Sequence, residues 1–360
     1  MVRTGDIDRR QFVRAAGIGF LAALSPKSLW ALERADAVFA SGFRGHDGAY
    51  GIATTTARGE IIDRIALPAR AHGLAYCKTT GRGVAFARRP GTFAMIFDPT
   101  GRREPVLIHA PEGRHYYGHG HFSPEGRILY ASENDFDGNR GMIGLYDATN
   151  GFARIGEFEA AGIGTHDMTV SDDGRHLIVA NGGIETHPDF GRTKLNLDHM
   201  QPSLAILDAA TGDVLERHAL PPDLSQLSTR HLDLDEGGRI WFACQYEGAR
   251  TDLPPLAGSF ALGEDLRFLS LPEETTQRLG NYVGAIAVNR TERLVGLTSP
   301  KGGAAVILDA RTGRVIAEQT VADAAGIASA PEGLAVSSYT GQLAATRSPL
   351  AWDQHLVHLA

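Results

Sequence analysis

The chain has 360 residues, of which 43% are hydrophobic and 21% are charged, a composition typical of a globular protein. Its formal net charge of -7 excludes a general nucleic-acid or anionic-membrane footprint. Two cysteines, Cys77 and Cys244, are too few for a disulfide framework. They fall in different predicted repeats, so we expect two separate buried thiols.

The N-terminal segment has the pattern of an export signal. Paired arginines at residues 9–10 precede the ten-residue apolar stretch Ala15–Leu24, which is too short to span a bilayer as a helix. The pattern resembles a twin-arginine signal, although Asp8 stands where Ser or Thr is usual. We predict a signal and linker over residues 1–37 and one domain over residues 38–360, exported to the periplasm without a stable membrane anchor. A basic cytosolic start before an apolar run is the alternative.

A turn signal recurs along the rest of the chain. An apolar strand end is followed by Asp and a short turn closed by Gly at Phe97–Gly101, Tyr146–Gly151, Leu207–Gly212 and Leu308–Gly313. The Asp side chain can accept hydrogen bonds from the turn backbone, and Gly takes the positive φ that a tight turn needs. The four Asp residues are 49, 61 and 101 residues apart, a spacing that indicates a β-propeller.

A second turn signal alternates with the first. Turns such as Ser171–Gly174 and Ala330–Gly333 are followed by short apolar strands such as His176–Ala180. Each repeat therefore contains four antiparallel strands, and at about 45–50 residues per blade the chain from Val38 onward forms about seven blades. We predict an all-β, seven-bladed propeller in which His355–Leu359 pairs beside the N-terminal strand and closes the ring. Six or eight blades and a β-sandwich are the alternatives.

The strand order predicts two unlike faces. The short Gly-closed turns share one face, and the long polar connections Glu133–Arg140, Asn181–Pro202 and Gln245–Leu256 share the other. A connection of about twenty residues is typical of a lid or a binding loop, and a solvated insertion is the alternative.

Histidines recur at the start of the predicted first strands. Four of them stand at similar distances before the turn glycines of consecutive blades: His72, His119, His166 and His231. The first strand of a blade is the innermost, so we expect these side chains at the long-loop end of the central channel.

Three interpretations of this histidine register stay open. Neutral imidazole is a good ligand for iron, copper or zinc, so the four residues could form a metal site. They could instead line a channel that binds an organic anion or a peptide with help from Arg44, Lys194 and Arg230. In the third interpretation they form a structural ring that fixes the angle between blades.

Further ligand-binding candidates on the long-loop face are polar or aromatic residues near the predicted strand ends. They are His115, Tyr117, His121, Glu133, Asn134, Asn181, His187, Lys194, Asn196, Arg230, Gln245 and Tyr246. The sequence has no G-x-S-x-G elbow, no C-x-x-C-H haem attachment and no phosphate-binding loop before a helix. The motifs therefore assign no catalytic residue, and whether the chain is an enzyme stays open.

Eight strings of residues, spread over about residues 38 to 345, are similar to one bacterial family. They are Ala87–Ala94, Gly113–Gly120, Glu133–Phe136, Ile143–Asp147, Val179–Asp189, Lys194–Asp198, Arg230–Leu232 and Cys244–Gly248. Through them the chain resembles the family catalogued as domain of unknown function 1513. The resemblance implies an exported, YVTN- or WD-like propeller whose genes are often found near imelysin-like and di-haem peroxidase-like proteins. No established reaction comes with it.

The leading hypothesis joins the histidine register to this resemblance. It is a monomeric periplasmic propeller that binds a ligand or metal, or docks with iron-uptake or haem proteins, in iron or copper acquisition. One alternative is a metal-dependent enzyme, an oxidoreductase or lactonase-like protein, with its site at the hub histidines. The other is a structural scaffold.

Overall fold

The computed structural model describes residues 36–359. The predicted export signal therefore lies almost entirely outside the described residues. Within the described range 28 strands form seven four-stranded sheets, which confirms the predicted seven-bladed propeller. A search of the same range finds no helix that is both long and apolar enough to cross a membrane.

The strands are numbered in chain order. Those of the first half are β1 (Phe39–Arg44), β2 (Tyr50–Thr55), β3 (Ile61–Leu67), β4 (Ala71–Cys77), β5 (Arg82–Ala87), β6 (Phe93–Phe97), β7 (Val106–His109), β8 (Arg114–Phe122), β9 (Ile128–Asp135), β10 (Arg140–Asp147), β11 (Ala153–Glu159), β12 (Thr165–Val170), β13 (His176–Asn181), β14 (Ser203–Asp208) and β15 (Val214–Ala219). Those of the second half are β16 (Leu227–Leu234), β17 (Ile240–Tyr246), β18 (Ala257–Phe260), β19 (Arg267–Phe268), β20 (Ala285–Asn289), β21 (Leu294–Ser299), β22 (Ala304–Asp309), β23 (Val315–Thr320), β24 (Ala324–Ser329), β25 (Leu334–Ser338), β26 (Gln342–Leu343), β27 (Thr346–Arg347) and β28 (Ala351–His358). The connections between them hold the α-helix α1 (Glu273–Leu279) and the 3-10 helices Pro188–Phe190 and Pro222–Leu224.

The two ends of the described chain share one blade. Its strand order is β28-β1-β2-β3, and β28 pairs antiparallel with β1, with Phe39 opposite His358. Each innermost strand contacts the innermost strands of the two neighbouring blades, so β28, β4, β8, β12, β16, β20 and β24 form a closed ring. Closure by a C-terminal strand is therefore confirmed, and it leaves no open edge between the first and last blades.

The repeated turns have the predicted chemistry. Asp98 Oδ1 accepts a hydrogen bond from the Thr100 amide at 2.8 Å, and Asp208 Oδ1 accepts one from the Ala210 amide at 2.8 Å. Glycine closes these turns with positive φ, as at Gly212, where φ is 79°. Asp147 and Asp309 accept equivalent bonds from the amides of Thr149 and Arg311, so these local bonds recur in four of the seven blades.

One predicted loop is a hairpin instead. β9 and β10 remain paired up to Asp135 and Arg140, so the polar stretch Glu133–Arg140 contains only a short turn. The Arg140 guanidinium donates to Asp135 Oδ2 at 2.6 Å, and the Gly138 amide donates to the same carboxylate. The polar side chains that indicated a loop thus stabilise a tight turn. The connection between β13 and β14 is long, as predicted.

The hydrophobic core lies between neighbouring blades. One cluster joins Val84, Phe86 and Ile96 of one blade to Tyr116 and Leu129 of the next. The two cysteines are buried and free in different blades, as the repeat pattern predicts. Because the apolar side chains fill the space between sheets, the axis is left for polar residues.

Two turn glycines test this local chemistry. An alanine at Gly151 has a left-handed φ of 63° but no atom within 4 Å of its Cβ, so we expect a loss of about 1–2 kcal/mol in the free energy of unfolding. An alanine at Gly212 would also place its Cβ 2.4 Å from Phe158 Cδ1, so its loss should be larger. Urea denaturation of Gly151→Ala and Gly212→Ala measures both. Equal losses would contradict the packing assigned to Gly212.

Candidate functional site

Five histidine rings meet at the axis of the propeller. His72, His119, His166 and His231 come from β4, β8, β12 and β16, and His355 joins them from β28. Ring centroids of neighbouring members lie between 4.6 and 5.5 Å apart. We call these five residues the hub cluster.

Irregular strand pairing aims these side chains inward. The ladder between β12 and β13 shifts register between Thr165 and Asp167, which leaves His166 outside the regular pairing. A β-bulge of this kind bends the strand and redirects a side chain. Similar shifts lie at or beside His72, His119, His231 and His355. The bulges thus turn residues of five innermost strands toward one point.

Two glycines allow the inner strands to come close enough for the rings to touch. A Cβ at Gly73 would lie 2.4 Å from the Gly118 carbonyl oxygen and 2.6 Å from His119 Nδ1. A Cβ at Gly118, whose φ is 111°, would lie 2.7 Å from His72 Cδ2. Larger residues at either position would push the hub rings apart.

A buried carboxylate orients part of the hub cluster. Asp167 Oδ1 lies 3.2 Å from His119 Nδ1, and its Oδ2 lies 3.7 Å from His231 Nδ1. Burial by itself would raise the pKa of Asp167, but the two histidines hold it far below its usual range. A carboxylate beside Nδ1 favours the proton on that nitrogen, which leaves the Nε2 lone pair of both rings available.

Four of the hub imidazoles, those of His72, His166, His231 and His355, are neutral near pH 7. Burial lowers the pKa of His72, His166 and His355 well below the usual value, and the neighbouring histidines add to the effect. Burial also lowers the pKa of His231 to about 4, against the opposing effect of Asp167. Neutral imidazole is the form that binds metal ions.

The cluster has buried nitrogens without hydrogen-bond partners in the described part of the chain. They are Nδ1 of His72, Nε2 of His119, Nε2 of His166, both nitrogens of His231 and Nε2 of His355. The ligand atoms of two groups of three lie within 4.8 Å of one another: His72, His119 and His166, and His119, His231 and His355. Either group has the donor type and the proximity that a metal site requires.

One hydrogen bond distinguishes the two groups. Arg230 Nη1 lies 3.2 Å from His166 Nδ1 and can only donate, so His166 accepts at Nδ1 and carries its proton on Nε2. That proton blocks Nε2 as a ligand. The group of His119, His231 and His355, which we call the metal triad, has no such conflict.

A small cavity lies directly beside the hub cluster, at the long-loop end of the channel. His72 and His166 form part of its lining, and its volume is about 110 Å³. Five cationic side chains also line it: Arg88, Arg89, Arg192, Lys194 and Arg230. The neutral residues Tyr117, Gln245, Tyr282 and Gln354 complete the wall. We call this space the arginine cavity.

A sequence profile of one family matches most of this propeller. The family is described as "Protein of unknown function (DUF1513)", and the match covers residues 65–359. The chain belongs to this family. None of the curated proteins matches it.

Solved structures similar to this DUF1513 chain share its fold. Hydrazine synthase of Kuenenia stuttgartiensis superimposes with a TM-score of 0.62 at 12% identity, covering 83% of this chain and 89% of that one. The Cps50 (Swd1) β-propeller domain of Myceliophteria thermophila gives a TM-score of 0.60 at 13% identity, covering 85% and 90%. Identities this low show the propeller architecture alone.

Several predicted site residues of the DUF1513 chain lie away from the hub, with their polar groups bonded. His115 Nδ1 contacts the Tyr116 carbonyl at 2.9 Å, and His115 Nε2 accepts from Asn134 at 3.0 Å. Glu133 is fully buried and accepts from Tyr146 at 2.7 Å and from Arg154 at 3.0 Å. These side chains hold the third blade together.

Of the other predicted residues, four line the arginine cavity and the rest lie elsewhere on strands and loops. Tyr117, Lys194, Arg230 and Gln245 line the cavity. The remaining predicted residues do not line the cavity. Three of them make hydrogen bonds within their own region: Asn181 with Thr165, Asn196 with the Gly183 carbonyl, and Tyr246 with Asp252. His121 contacts the Phe122 carbonyl, His187 lies near Asp137, and Arg44 is exposed.

Seven residues of the site were not predicted from the sequence. They are Arg88, Arg89, Asp167, Arg192, Tyr282, Gln354 and His355. His355 could have been found, because a C-terminal strand placed inside Val38–Ser41 is necessarily the innermost of its blade. Asp167 follows His166 directly, yet nothing in its neighbours indicates that it faces the axis.

The neutral hub histidines predict how stability depends on pH in the metal-free protein. Histidines of the unfolded chain have a pKa near 6.5, whereas burial lowers the pKa of His231 to about 4 and that of His72, His166 and His355 well below the unfolded value. The unfolded state therefore holds more protons at pH values between the two. The free energy of unfolding should decrease as the pH is lowered through this range, by up to about 1.4 kcal/mol per pH unit for each of these four histidines.

Urea denaturation in a chelator between pH 7 and 5 measures this slope. His231→Gln removes one titrating group, so its slope should be shallower than that of the wild type. Identical slopes would contradict the assignment of His231 as a neutral buried group.

Proposed function

We propose that this chain binds a transition-metal ion at its hub through the metal triad of His119, His231 and His355. Two observations carry the proposal: each triad residue offers a ligand nitrogen within 4.8 Å of the others, and each ring has a buried nitrogen without a hydrogen-bond partner among the described residues. Asp167 adds a third support, because metal-binding histidines commonly donate their other N–H to a carboxylate.

The distances fit a site that closes around an ion. A metal–nitrogen distance of about 2.0–2.1 Å puts two ligand nitrogens of a tetrahedral site about 3.4 Å apart. The triad nitrogens lie within 4.8 Å, so movements of about 1 Å bring them into contact with one ion. Rotation of the imidazoles about their side-chain bonds supplies such movements without moving the strands.

The donor set favours some metals over others. Imidazole binds zinc, copper and iron, and for divalent ions the affinity of a given site rises from iron to copper and falls again at zinc. At equal availability the triad should therefore prefer copper to iron. The family resemblance points to iron or copper handling, and iron remains the alternative ion.

We extend the proposal to the place of action. A twin-arginine signal would carry the folded protein to the periplasm, where the long-loop face could dock with iron-uptake or haem proteins. The connection between β13 and β14 supports docking, because it is long and places Arg192 and Lys194 in the wall of the arginine cavity. Affinity capture from a periplasmic extract would identify such a partner.

A metal-dependent enzyme is the second candidate. Three protein ligands leave one coordination position open, as in catalytic zinc sites, and the arginine cavity lies beside the hub cluster. Such an enzyme would turn over a small anionic substrate, whereas a binding protein would retain the metal without turnover.

Metal analysis tests the triad. We expect the full chain, exposed separately to Fe(II), Cu(II) and Zn(II) and then desalted, to retain about one ion, with copper held most tightly. His355→Asn should retain at least ten-fold less, because two imidazoles remain. Elemental analysis measures the retained metal, and the melting temperature measures the stability that the metal adds. An ion present at 100 times its Kd adds about 2.7 kcal/mol to the free energy of unfolding.

His109→Asn is the matched control for this measurement. His109 is exposed on β7, far from the axis in an outer strand, so its replacement should leave metal content unchanged. Absence of stoichiometric metal in the wild type, with no shift in melting temperature, would reject the metal site and favour the structural scaffold.

Asp167→Asn tests the orienting carboxylate. The asparagine amide can donate to an imidazole Nδ1, which places the ring proton on Nε2 and removes a ligand lone pair. We expect metal affinity to fall by about 10–100-fold in competition with a chelator. Asp198→Asn, at an exposed loop position, should not change the affinity. Equal affinity of Asp167→Asn and the wild type would show that Asp167 does not orient the ligands.

A further inference from the structure

The arginine cavity carries a large uncompensated positive charge. Its lining includes four arginines and one lysine, and none of the described lining residues is Asp or Glu. Glu247 lies next to the cavity, where it accepts a hydrogen bond from Lys194 and lies 3.9 Å from Arg230. One carboxylate against five cations leaves an excess of four positive charges in a partly buried space.

The cations lie close enough to affect one another. Burial lowers the pKa of Arg89 to about 10, and the charges of Arg230, Arg192 and Arg88 contribute to the shift. Like charges held close together in a partly buried site destabilise the folded state unless an opposite charge is bound there. The arrangement is therefore costly for the protein alone.

Several donors at this cavity have no partner in the described part of the chain. Arg230 is only 6% exposed, and its Nε is buried without a hydrogen bond. Arg88 Nε is also buried without a hydrogen-bond partner. His166, also 6% exposed, leaves Nε2 unpartnered, and the bond from Arg230 makes that nitrogen a donor. Three donor groups of the cavity lining, two guanidinium Nε–H groups and one imidazole Nε2–H, are therefore without a protein acceptor among the described residues.

From this geometry we propose that the arginine cavity binds a small multivalent anion, an oxyanion such as phosphate or a compact polycarboxylate such as citrate. Guanidinium groups match the oxygens of phosphate and carboxylate with paired hydrogen bonds. The volume of about 110 Å³ lies well below the range of about 300–1,000 Å³ for drug-sized ligands, so the bound group is small. The proposal goes beyond metal binding and does not require it.

Calorimetric titration of the metal-free full chain tests the anion site. Phosphate and citrate are titrated separately, with ionic strength held constant by sodium chloride, because salt screens exposed charges. We expect saturable binding of at least one anion. Binding of phosphate alone supports an inorganic oxyanion, and binding of citrate alone supports a carboxylate ligand.

Arg88→Gln and Arg89→Gln should each weaken that binding at least ten-fold. Without added anion, both variants should melt at or above the wild-type temperature, because each removes a repelling charge. Arg44→Gln, an exposed arginine outside the cavity, is the matched control and should bind as the wild type does.

Two results would overturn the anion site. One is the absence of saturable binding of either anion to the metal-free chain. The other is wild-type affinity in both Arg88→Gln and Arg89→Gln. Failure of the metal triad would leave this result unaffected, since the titration is made without metal.

Discussion

The β-bulges of the innermost strands determine what the centre of this propeller can do. Regular pairing would direct alternate side chains between the blades, where the apolar core lies. At the bulges the strand bends, and an imidazole turns toward the axis from five of the seven blades. Gly73 and Gly118 remove the atoms that would keep β4 and β8 apart. The hub therefore packs imidazole against imidazole, and its electrostatics follow from that burial.

Two carboxylates divide the polar centre into regions with different chemistry. Asp167 lies on the Nδ1 side of His119 and His231 and favours rings whose Nε2 lone pairs are available for a cation. Glu247 compensates part of the charge on Lys194 and Arg230 and leaves the other arginines available for an anion. A cation in the metal triad and an anion in the arginine cavity would stabilise each other, because both lie at the same end of the channel in a poorly screened environment.

The fold was predictable because its signals are local, and the site was less so because its contacts are distant in sequence. Asp208 and Gly212 form a turn within five residues, so the repeat could be recognised without any tertiary information. The hub histidines share a register relative to such turns, which is why four of the five were predicted. Arg192 reaches the cavity only through the path of a long connection, and no periodicity describes that path.

The chain itself shows how a structural histidine differs from the hub cluster. His115 is buried like His166, yet both of its nitrogens are bonded, one to a carbonyl and one to Asn134. A buried polar atom without a partner costs about 1–3 kcal/mol, and the hub cluster contains six such nitrogens. A ring of histidines that only fixed blade angles would be expected to bond these atoms within the protein, as Asn181 bonds Thr165 and Ala160. An unpartnered nitrogen in a prearranged group can serve a metal ion as a ligand or, where it carries a proton as at His166, an anion as a donor, so these unpartnered atoms favour the proposed binding sites over a role in fold support alone.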